Sequence, residues 1–317
     1  MNSARLFQMT LPQLETTAAR LSQVVVRTPV LPSKLLKGVF LKAENLQLTG
    51  SFKIRAALNQ VWALDEEARE KGIVTSSSGN FAQAAAYAAA SIGVSAKIVM
   101  MKSSNPVKVA GTRRWGGEVV FCEDRFEARA ETVDRICRSE GRIPIYPYDH
   151  PLVVVGNASI GLEILEALPE VENVVVPISG GGLISGIAVA LKLKNPRTKV
   201  WGVQPQGSNA TFLSFNSGRR EKIEKAQTIA DGLTVTCPGE TTFPIIQKEV
   251  HEVVTVEEST IIEATKGLLA EEKLVVEPSG AVTLAAILEG KVPADATVCV
   301  LSGGNMDPRK LSQFLSS

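Results

Sequence analysis

The amino-acid sequence predicts an α/β fold with two lobes, each built around an open, parallel sheet. Three observations support this prediction. Short runs rich in β-branched residues alternate with helix-like segments in two successive series along the chain. Several predicted strands end in segments rich in glycine and serine that lead into a helix. The chain has 317 residues, of which 44% are hydrophobic, and this is enough to form two modest cores.

The first series lies in the first half of the chain. It opens with a helix whose first turn contains Lys53 and which continues through the apolar segment 54–58. Strands follow at 72–75, 96–101, 118–122 and 142–146, and helices lie between them at 80–92, 106–115 and 124–140. Strands and helices that alternate in this way form βαβ units, so we expect a parallel sheet.

The second series follows without an obvious linker or internal repeat. Its strands are predicted at 173–178, 199–203, 253–256 and 297–301, and its helices at 184–194, 257–272 and 279–288. A further helix that faces the cleft is predicted to begin at Gly156 and Asn157. Ligands of such sheets bind at the carboxyl ends of the strands, so the functional residues are expected in the loops there.

Composition excludes several classes of function. Lys and Arg total 34 against 33 Asp and Glu, and no basic stripe interleaved with aromatic residues suggests nucleic acid. No apolar run approaches the roughly 18 residues of a membrane span. The two histidines offer too little material for a zinc site or a Ser-His-Asp triad. A small zwitterionic or uncharged ligand is the expected partner.

The four cysteines point to a cytoplasmic location. They show no C-x-x-C spacing, and the N-terminal sequence lacks the pattern of a secretory leader. We therefore expect reduced thiols in a cytoplasmic protein.

Lys53 is the first candidate for chemistry. The small-residue turn 49–52 places it in the first turn of a helix, where the positive end of the helix dipole disfavours a protonated amine. We therefore expect a lowered pKa. An amine that loses its proton readily can form a Schiff base.

A glycine-rich loop is the second candidate. The apolar run 174–178 ends in Ser179, Gly180, Gly181, Gly182 and Leu183 and then continues as a helix. This arrangement directs several backbone N–H groups at one point, which suits a phosphate. The glycine spacing does not match G-x-G-x-x-G, and no G-K-[ST] follows, so neither a Rossmann nor a P-loop site is predicted.

Two further loops carry polar residues at strand ends. The first contains Ser77, Ser78, Gly79 and Asn80 ahead of an alanine-rich helix, and its hydroxyl and N–H groups suit a carboxylate. The second contains Ser302 at the end of the last predicted strand. A Schiff-base lysine, a phosphate site, a carboxylate loop and a serine at a strand end together suit pyridoxal phosphate acting on an amino acid.

These residues lie in motifs that resemble a known family. The segments 44–58, 76–89, 156–165, 179–188, 228–235, 277–281 and 301–305 match, in order, motifs of the fold type II pyridoxal-phosphate enzymes. Within that family the chain resembles the serine/threonine dehydratase and serine racemase group. The resemblance implies the two-lobed fold of the tryptophan synthase β subunit and a homodimer. It implies a larger cofactor-binding domain of residues 1–47 and 147–317, and a smaller domain, 48–146, that holds the substrate carboxylate.

The resemblance also implies roles for individual residues. Lys53 would hold the cofactor covalently and then act as the base at the substrate Cα, with Ser78 on the opposite face. Ser302 would meet the pyridine nitrogen, and a neutral hydroxyl there favours β-elimination over transamination. The implied cofactor-binding residues are Phe52, Lys53, Asn80, Ser179, Gly180, Gly181, Gly182, Leu183, Gly232, Glu277, Ser302 and Gly303. The implied substrate-binding residues are Ser77, Ser78, Gly79, Asn80, Phe81 and Asn157.

The implied reaction is the loss of the β-hydroxyl group from an L-serine- or L-threonine-like amino acid, which yields a 2-oxo acid and ammonia. An amino-acid racemase and a β-replacement synthase, of the threonine or cysteine synthase type, are alternatives with the same fold. A binding protein that has lost the chemistry is a further alternative, and the presence of Lys53 argues against it.

Three features depart from the usual pattern of the group. Phe81 stands where most members have histidine, which is either a neutral packing change or an enlarged apolar pocket for a substrate such as phenylserine. Gln204 and Ala210 stand where some members bind a divalent cation through carboxylates, so no metal is expected there. The sequence ends at Ser317, and on the resemblance we expect no feedback by isoleucine.

Overall fold

A computed structural model describes residues 9–309 and 312 of the chain. Ser317, on which the expectation about isoleucine rests, lies outside these residues. The ten strands found within the described part are β1 (Val30–Pro32), β2 (Val39–Lys42), β3 (Ile73–Ser76), β4 (Ala96–Met101), β5 (Glu118–Cys122), β6 (Ile143–Pro144), β7 (Asn173–Pro177), β8 (Lys199–Pro205), β9 (Glu252–Val256) and β10 (Thr297–Val300).

The same residues form twelve α-helices, most of which lie between strands. They are α1 (Leu11–Leu21), α2 (Lys53–Trp62), α3 (Glu66–Lys71), α4 (Asn80–Ala90), α5 (Pro106–Arg114), α6 (Phe126–Glu140), α7 (Pro151–Ala167), α8 (Gly182–Lys194), α9 (Ala210–Ser217), α10 (Thr242–Glu249), α11 (Glu258–Ala270) and α12 (Pro278–Leu288).

The strands form two sheets. The larger has the order β1-β2-β10-β7-β8-β9, and all of its neighbouring strands are parallel except β1 and β2. The smaller has the order β5-β4-β3-β6 and is parallel throughout. The predicted two-lobed α/β architecture with parallel sheets is therefore confirmed.

Helices bury both faces of the larger sheet. Val174 and Val176 pack in one cluster with α7 and α8, whereas Val175 packs in another with α11 and α12. Successive strand residues point to opposite faces, which explains why an unbroken apolar run forms this central strand. The smaller sheet is covered by α2 and by the alanine-rich α4, whose small side chains allow a close approach.

The predicted strands agree with the structure to within one or two residues, except that the one at 142–146 is reduced to Ile143–Pro144. The predicted start of a helix at Gly156 and Asn157 is wrong. The helix α7 begins at Pro151, where the side chain of His150 accepts a hydrogen bond from the Leu152 N–H. Proline at the first helical position and a capping side chain before it explain this start.

Several elements had no counterpart in the sequence analysis, namely β1, β2, α1, α3, α9 and α10. The strands of the smaller sheet all lie within 48–146 and those of the larger sheet outside it. We therefore retain 48–146 as the proposed smaller domain and 1–47 with 147–317 as the proposed larger one. No helix in the described part of the chain is long and apolar enough to cross a membrane.

Candidate active site

Lys53 is the first residue of α2, the helix that packs against α4 of the smaller lobe and α7 of the larger one. Its Nζ atom donates a hydrogen bond to the carbonyl of Pro147 at 2.9 Å and lies 4.8 Å from the centre of the Phe52 ring. Burial of the amine lowers the pKa of Lys53 to about 8, and the negative charge of Glu277 opposes this shift. The shift has the expected direction, and burial of the amine is its main cause.

A backbone contact links the neighbourhood of Lys53 to the end of β10. The N–H of Phe52 donates to the carbonyl of Ser302 at 3.1 Å, and Ser51 forms an isolated bridge with Gly303. Ser302 is buried. The amine of Lys53 and the hydroxyl of Ser302 are therefore carried by two segments that are fixed directly to each other.

The glycine-rich loop follows β7 and leads into α8. Gly181 has φ of +95°, a left-handed conformation that favours glycine. A Cβ atom there would lie 2.7 Å from the Thr242 Oγ1, and one on Gly182 would lie 2.7 Å from the carbonyl of Tyr148. The space around the loop thus requires glycine, and the first N–H groups of α8 have no acceptor within the helix.

Ser179 and Leu183 flank this loop, and the ring of Tyr148 covers Gly180 so closely that a Cβ atom there would collide with it. The carbonyl of Gly180 also accepts a hydrogen bond from Thr242 Oγ1 at 2.6 Å, which fixes the loop to α10. A loop held in this way at a helix N-terminus suits an anion.

The serine loop connects β3 to α4, and Ser77, Ser78, Gly79 and Asn80 are all partly exposed. The hydroxyls of Ser78 and Ser104 are hydrogen-bonded at 3.0 Å. The N–H groups at the start of α4 have no intrahelical acceptor, so this loop can hold a carboxylate.

Asn80 connects the two lobes across the cleft. Its Nδ2 donates to the carboxylate of Glu277, and its Oδ1 accepts from Asn305 Nδ2 at 2.9 Å. Burial, with a contribution from the charge of Asp231, raises the pKa of Glu277 to about 7. Glu277 lies against Gly303, where a Cβ atom would overlap its carboxylate.

Gly232 and Asn157 also lie near the cofactor motifs. The N–H of Gly232 donates to the hydroxyl of Ser279 at 2.9 Å. Asn157 is fully buried, its Nδ2 donates to the carbonyl of Gly182 at 3.1 Å, and its Oδ1 has no partner among the described residues. Its position behind the glycine loop favours support of that loop over contact with substrate.

Phe81 is buried in the core of the smaller sheet. Its side chain belongs to a cluster with Ile54, Leu58, Ala85 and Met100 and is only 2% exposed. Of the two interpretations of this departure from the family pattern, the placement favours packing over an enlarged substrate pocket.

Gln204 is also buried, at the end of β8. Its Oε1 accepts from the Phe212 N–H at 2.9 Å, and its Nε2 donates to the carbonyl of Ile178 at 3.4 Å. Both ends of this amide thus bind the backbone. Among the described residues no three His, Cys, Asp or Glu side chains are grouped as a metal site.

The sequence analysis did not single out Asn105, Lys108 and Asp307, which make contacts between the two lobes. Asn105 donates to Asp307 at 2.8 Å, and Lys108 pairs with Asp231 at 2.9 Å. These contacts join α5, beside the smaller sheet, to segments that follow strands of the larger one. No local motif marks them, because each pair is separated by more than a hundred residues.

Comparison with known proteins agrees with this site. The sequence pattern of the family described as pyridoxal-phosphate dependent enzyme matches residues 21–304. L-threonine ammonia-lyase of Thermotoga maritima is 41% identical over 314 residues, which cover 97% of this chain and 78% of that protein. The catabolic L-threonine dehydratase of Escherichia coli is 43% identical over 287 residues, or 89% and 87% of the two chains. The structure of maize serine racemase superimposes with a TM-score of 0.92 at 35% identity, over 98% of each chain.

These similarities extend over nearly all the motifs from which the resemblance was drawn. They confirm the predicted cofactor, pyridoxal phosphate, and the predicted group, which contains dehydratases and racemases. By the match of most of its length and by its identity to these relatives, the chain belongs to the family of pyridoxal-phosphate dependent enzymes.

Proposed function

We propose that the protein is an ammonia-lyase that removes the β-hydroxyl group of L-threonine or L-serine and releases a 2-oxo acid and ammonia. One observation carries this proposal. Lys53, an amine with a lowered pKa, is held near Ser302, because the backbone N–H of its neighbour Phe52 donates to the Ser302 carbonyl. Two relatives that cover most of the chain carry the names of threonine ammonia-lyase and threonine dehydratase.

The residues of the site fit pyridoxal phosphate. The three glycines leave no room for side chains, and the first turn of α8 offers N–H groups for the phosphate. Ser302, buried at the end of β10, is the partner for the pyridine nitrogen, and Phe52 lies beside the amine. Bound pyridoxal phosphate supplies an electron sink for the electron pair left at Cα when its proton is removed.

The protein side chains bind, orient and move protons. Lys53 takes the proton from Cα, because an amine with a pKa of about 8 is partly neutral near physiological pH. Ser77, Ser78 and the N-terminal turn of α4 hold the substrate carboxylate. A neutral hydroxyl at Ser302, in place of a carboxylate, leaves the ring unprotonated and favours prompt loss of the β-hydroxyl. Because Phe81 packs in the core, we propose small substrates rather than phenylserine.

The test is a panel of L-threonine, L-serine, D-serine, 3-hydroxyaspartate and threo-phenylserine, with 2-oxo acid release measured without any added nucleophile. We expect L-threonine and L-serine to react, and Lys53→Ala to lower the rate by at least about a thousandfold. A matched control is Lys97→Ala, a lysine bound to Glu140 away from the cleft. A wild-type protein that makes 2-oxo acid only with an added nucleophile would instead be a synthase.

A racemase is the second candidate, and the Ser78–Ser104 hydrogen bond favours it, since a hydroxyl with a partner can return a proton to Cα. The same panel distinguishes the two activities. A racemase converts L-serine into D-serine faster than it releases the 2-oxo acid, whereas a dehydratase does the reverse.

We also propose that the enzyme is a cytoplasmic homodimer. The four cysteines are all free thiols, which agrees with a reducing compartment. The dimer is supported by the family resemblance and is tested by light scattering of the purified protein.

A further inference from the structure

Arg55 is completely buried two residues after Lys53, and its guanidinium is held by two carboxylates. Along one edge of the guanidinium, Nε and Nη2 donate to the carboxylate of Glu44, at 2.9 Å and 2.8 Å. Both terminal nitrogens also bind Glu163, at 2.6 Å and 2.9 Å. A further bond from Nη1 reaches the Ser159 hydroxyl at 3.1 Å. This two-sided clamp fixes both the position and the orientation of the guanidinium.

Lys42 completes a buried group of two cations and two anions. Its Nζ donates to Glu163 at 2.6 Å and lies 3.8 Å from Glu44. Burial of the ammonium lowers the pKa of Lys42, while Arg55 and Lys42 together lower the pKa of Glu44 against the effect of its own burial. Taking four charges out of water is so costly that such groups rarely add net stability over apolar packing. Their clear effect here is geometric.

The clamp fastens α2 to one face of α7. Gly156, Ser159 and Glu163 lie at i, i+3 and i+7 and therefore line one side of the helix. Ser159 and Glu163 bind the Arg55 guanidinium, and a Cβ atom on Gly156 would lie 2.8 Å from the Arg55 carbonyl. One turn further on, Asn59 donates to the Leu152 carbonyl at 2.8 Å. These contacts, one turn apart, fix the position of α2 along α7.

Another face of α7 holds the glycine-rich loop. Asn157, the residue after Gly156, donates from Nδ2 to the carbonyl of Gly182. In α8, a Cβ atom on Gly186 would lie 2.5 Å from the Val154 carbonyl and 2.8 Å from the Asn157 Cβ. The same helix thus touches the segment that carries the amine and the loop that suits a phosphate.

We infer that Arg55, clamped by Glu44 and Glu163, is a positioning residue that fixes the reactive amine relative to the phosphate loop, with α7 as the common support. This inference rests on the proposed role of Lys53. A cofactor held at the glycine loop presents its aldehyde at one place, and the clamp keeps the amine within reach of that place. A displacement of about 1 Å between reacting groups can cost about a hundredfold in rate. We expect a misplaced amine to bond the aldehyde less favourably for the same reason.

The experiment compares two ligands of the cofactor-free protein. Pyridoxal phosphate can use the glycine loop and be captured by Lys53 with release of one water, whereas 4′-deoxypyridoxine 5′-phosphate lacks the aldehyde and can use the loop only. The ratio of their dissociation constants, measured by titration calorimetry, reports how well the amine is placed. It does not depend on turnover.

Arg55→Lys keeps the positive charge but not the two-sided fork, so it is the first variant. The second, Lys42→Met with Glu163→Gln, removes one charge of each sign and leaves Arg55 paired with Glu44. The control is Glu166→Gln, one turn along α7, which removes a surface pair with Arg27 at 2.8 Å. Thermal unfolding of each protein shows whether it is folded.

We expect both clamp variants to bind the 4′-deoxy analogue within twofold of the wild type. The factor by which pyridoxal phosphate binds more tightly than this analogue should fall at least about tenfold in both. The control should keep the wild-type ratio. If either folded clamp variant keeps the full advantage, the inference is overturned and the buried charges serve stability alone. Lys53→Ala distinguishes failure of this inference from failure of the proposed function. If Lys53→Ala still binds pyridoxal phosphate more tightly than the 4′-deoxy analogue by the wild-type factor, the proposed role of Lys53 itself fails.

Discussion

At the scale of single residues, the site depends on how burial alters two ionisable groups. Desolvation lowers the pKa of Lys53 to about 8 and raises that of Glu277 to about 7, so both titrate close to neutral pH. The charge of each group opposes the shift of the other, because their attraction favours the charged forms. Burial thus brings the pKa of an amine and the pKa of a carboxyl group close to each other, and shifted pKa values of this kind are common in active sites.

Glu277 should make the stability of the cofactor-free protein depend on pH. Its folded pKa lies above the usual value of 4.5, so the folded state binds the proton more tightly than the unfolded state does. The stability it contributes is present below pH 4.5 and is lost as pH rises through 7. At 1.36 kcal/mol per unit, the loss is about 3 kcal/mol. Urea unfolding of Glu277→Gln at several pH values measures it.

In that variant the decline between pH 4.5 and 7 should be smaller than in the wild type. The introduced glutamine side chain can still accept the hydrogen bond from Asn80, which keeps the change close to the removal of a titrating proton. The exposed Glu224→Gln is the control and should follow the wild-type curve. Parallel curves for Glu277→Gln and the wild type would contradict the shift.

At the scale of secondary-structure elements, the glycine loop before α8 is specified by its surroundings. Gly181 combines a left-handed φ with close contacts to Thr242 and Ile246 on α10. Alanine there meets both a backbone penalty and a steric one. A matched position exists at Gly218, which has φ of +74° but no heavy atom within 4 Å of the place that a Cβ would occupy.

Gly181→Ala should therefore cost more than Gly218→Ala. We expect about 1 kcal/mol of unfolding free energy for Gly218→Ala and about 3 kcal/mol for Gly181→Ala. Only Gly181→Ala should also weaken the binding of pyridoxal phosphate, by at least about tenfold, because it moves the N–H groups of the loop. Urea unfolding and fluorescence titration measure these effects, and equal cofactor affinities in the two variants would contradict the prediction.

The elements also show what the sequence can predict. Apolar runs that end in glycine or serine, such as those before Ser179 and Ser302, located the central strands and the loops of the site. The edge strand β1 spans only three residues, and its antiparallel partner β2 only four, too short for a clear period. Arg55 and Glu163 are joined only by the fold, since 108 residues separate them.

At the scale of the whole molecule, the two lobes meet through polar contacts at the mouth of the cleft. Asn105 binds Asp307, and Lys108 binds Asp231 with both side chains partly exposed. Exposed ion pairs of this kind contribute about 0–1 kcal/mol to folding. Because they join α5 to segments of the larger lobe, we expect these contacts to affect how often the two lobes are closed together more than they affect folding.

Lys108→Met should therefore leave the unfolding free energy within about 1 kcal/mol of the wild type. It should raise KM for the hydroxy amino acid severalfold, because a smaller share of molecules is closed and competent to bind. Lys97→Met, which removes an ion pair with Glu140 within the smaller lobe, is the control. Steady-state kinetics and urea unfolding measure both quantities, and equal KM values in the two variants would rule out closure by this pair.

The place of β10 in the larger sheet has a consequence for synthesis on the ribosome. This strand follows the other nine strands of the described residues in sequence but lies between β2 and β7, and the residues after it bind the segment beside Lys53. A nascent chain that has not yet emerged past Ser302 lacks the middle of its sheet. We expect stalled chains that expose residues 1–296 to show no cofactor fluorescence, and chains extended well beyond 305 to acquire it, because the binding of pyridoxal phosphate has to wait until β10 has left the ribosome.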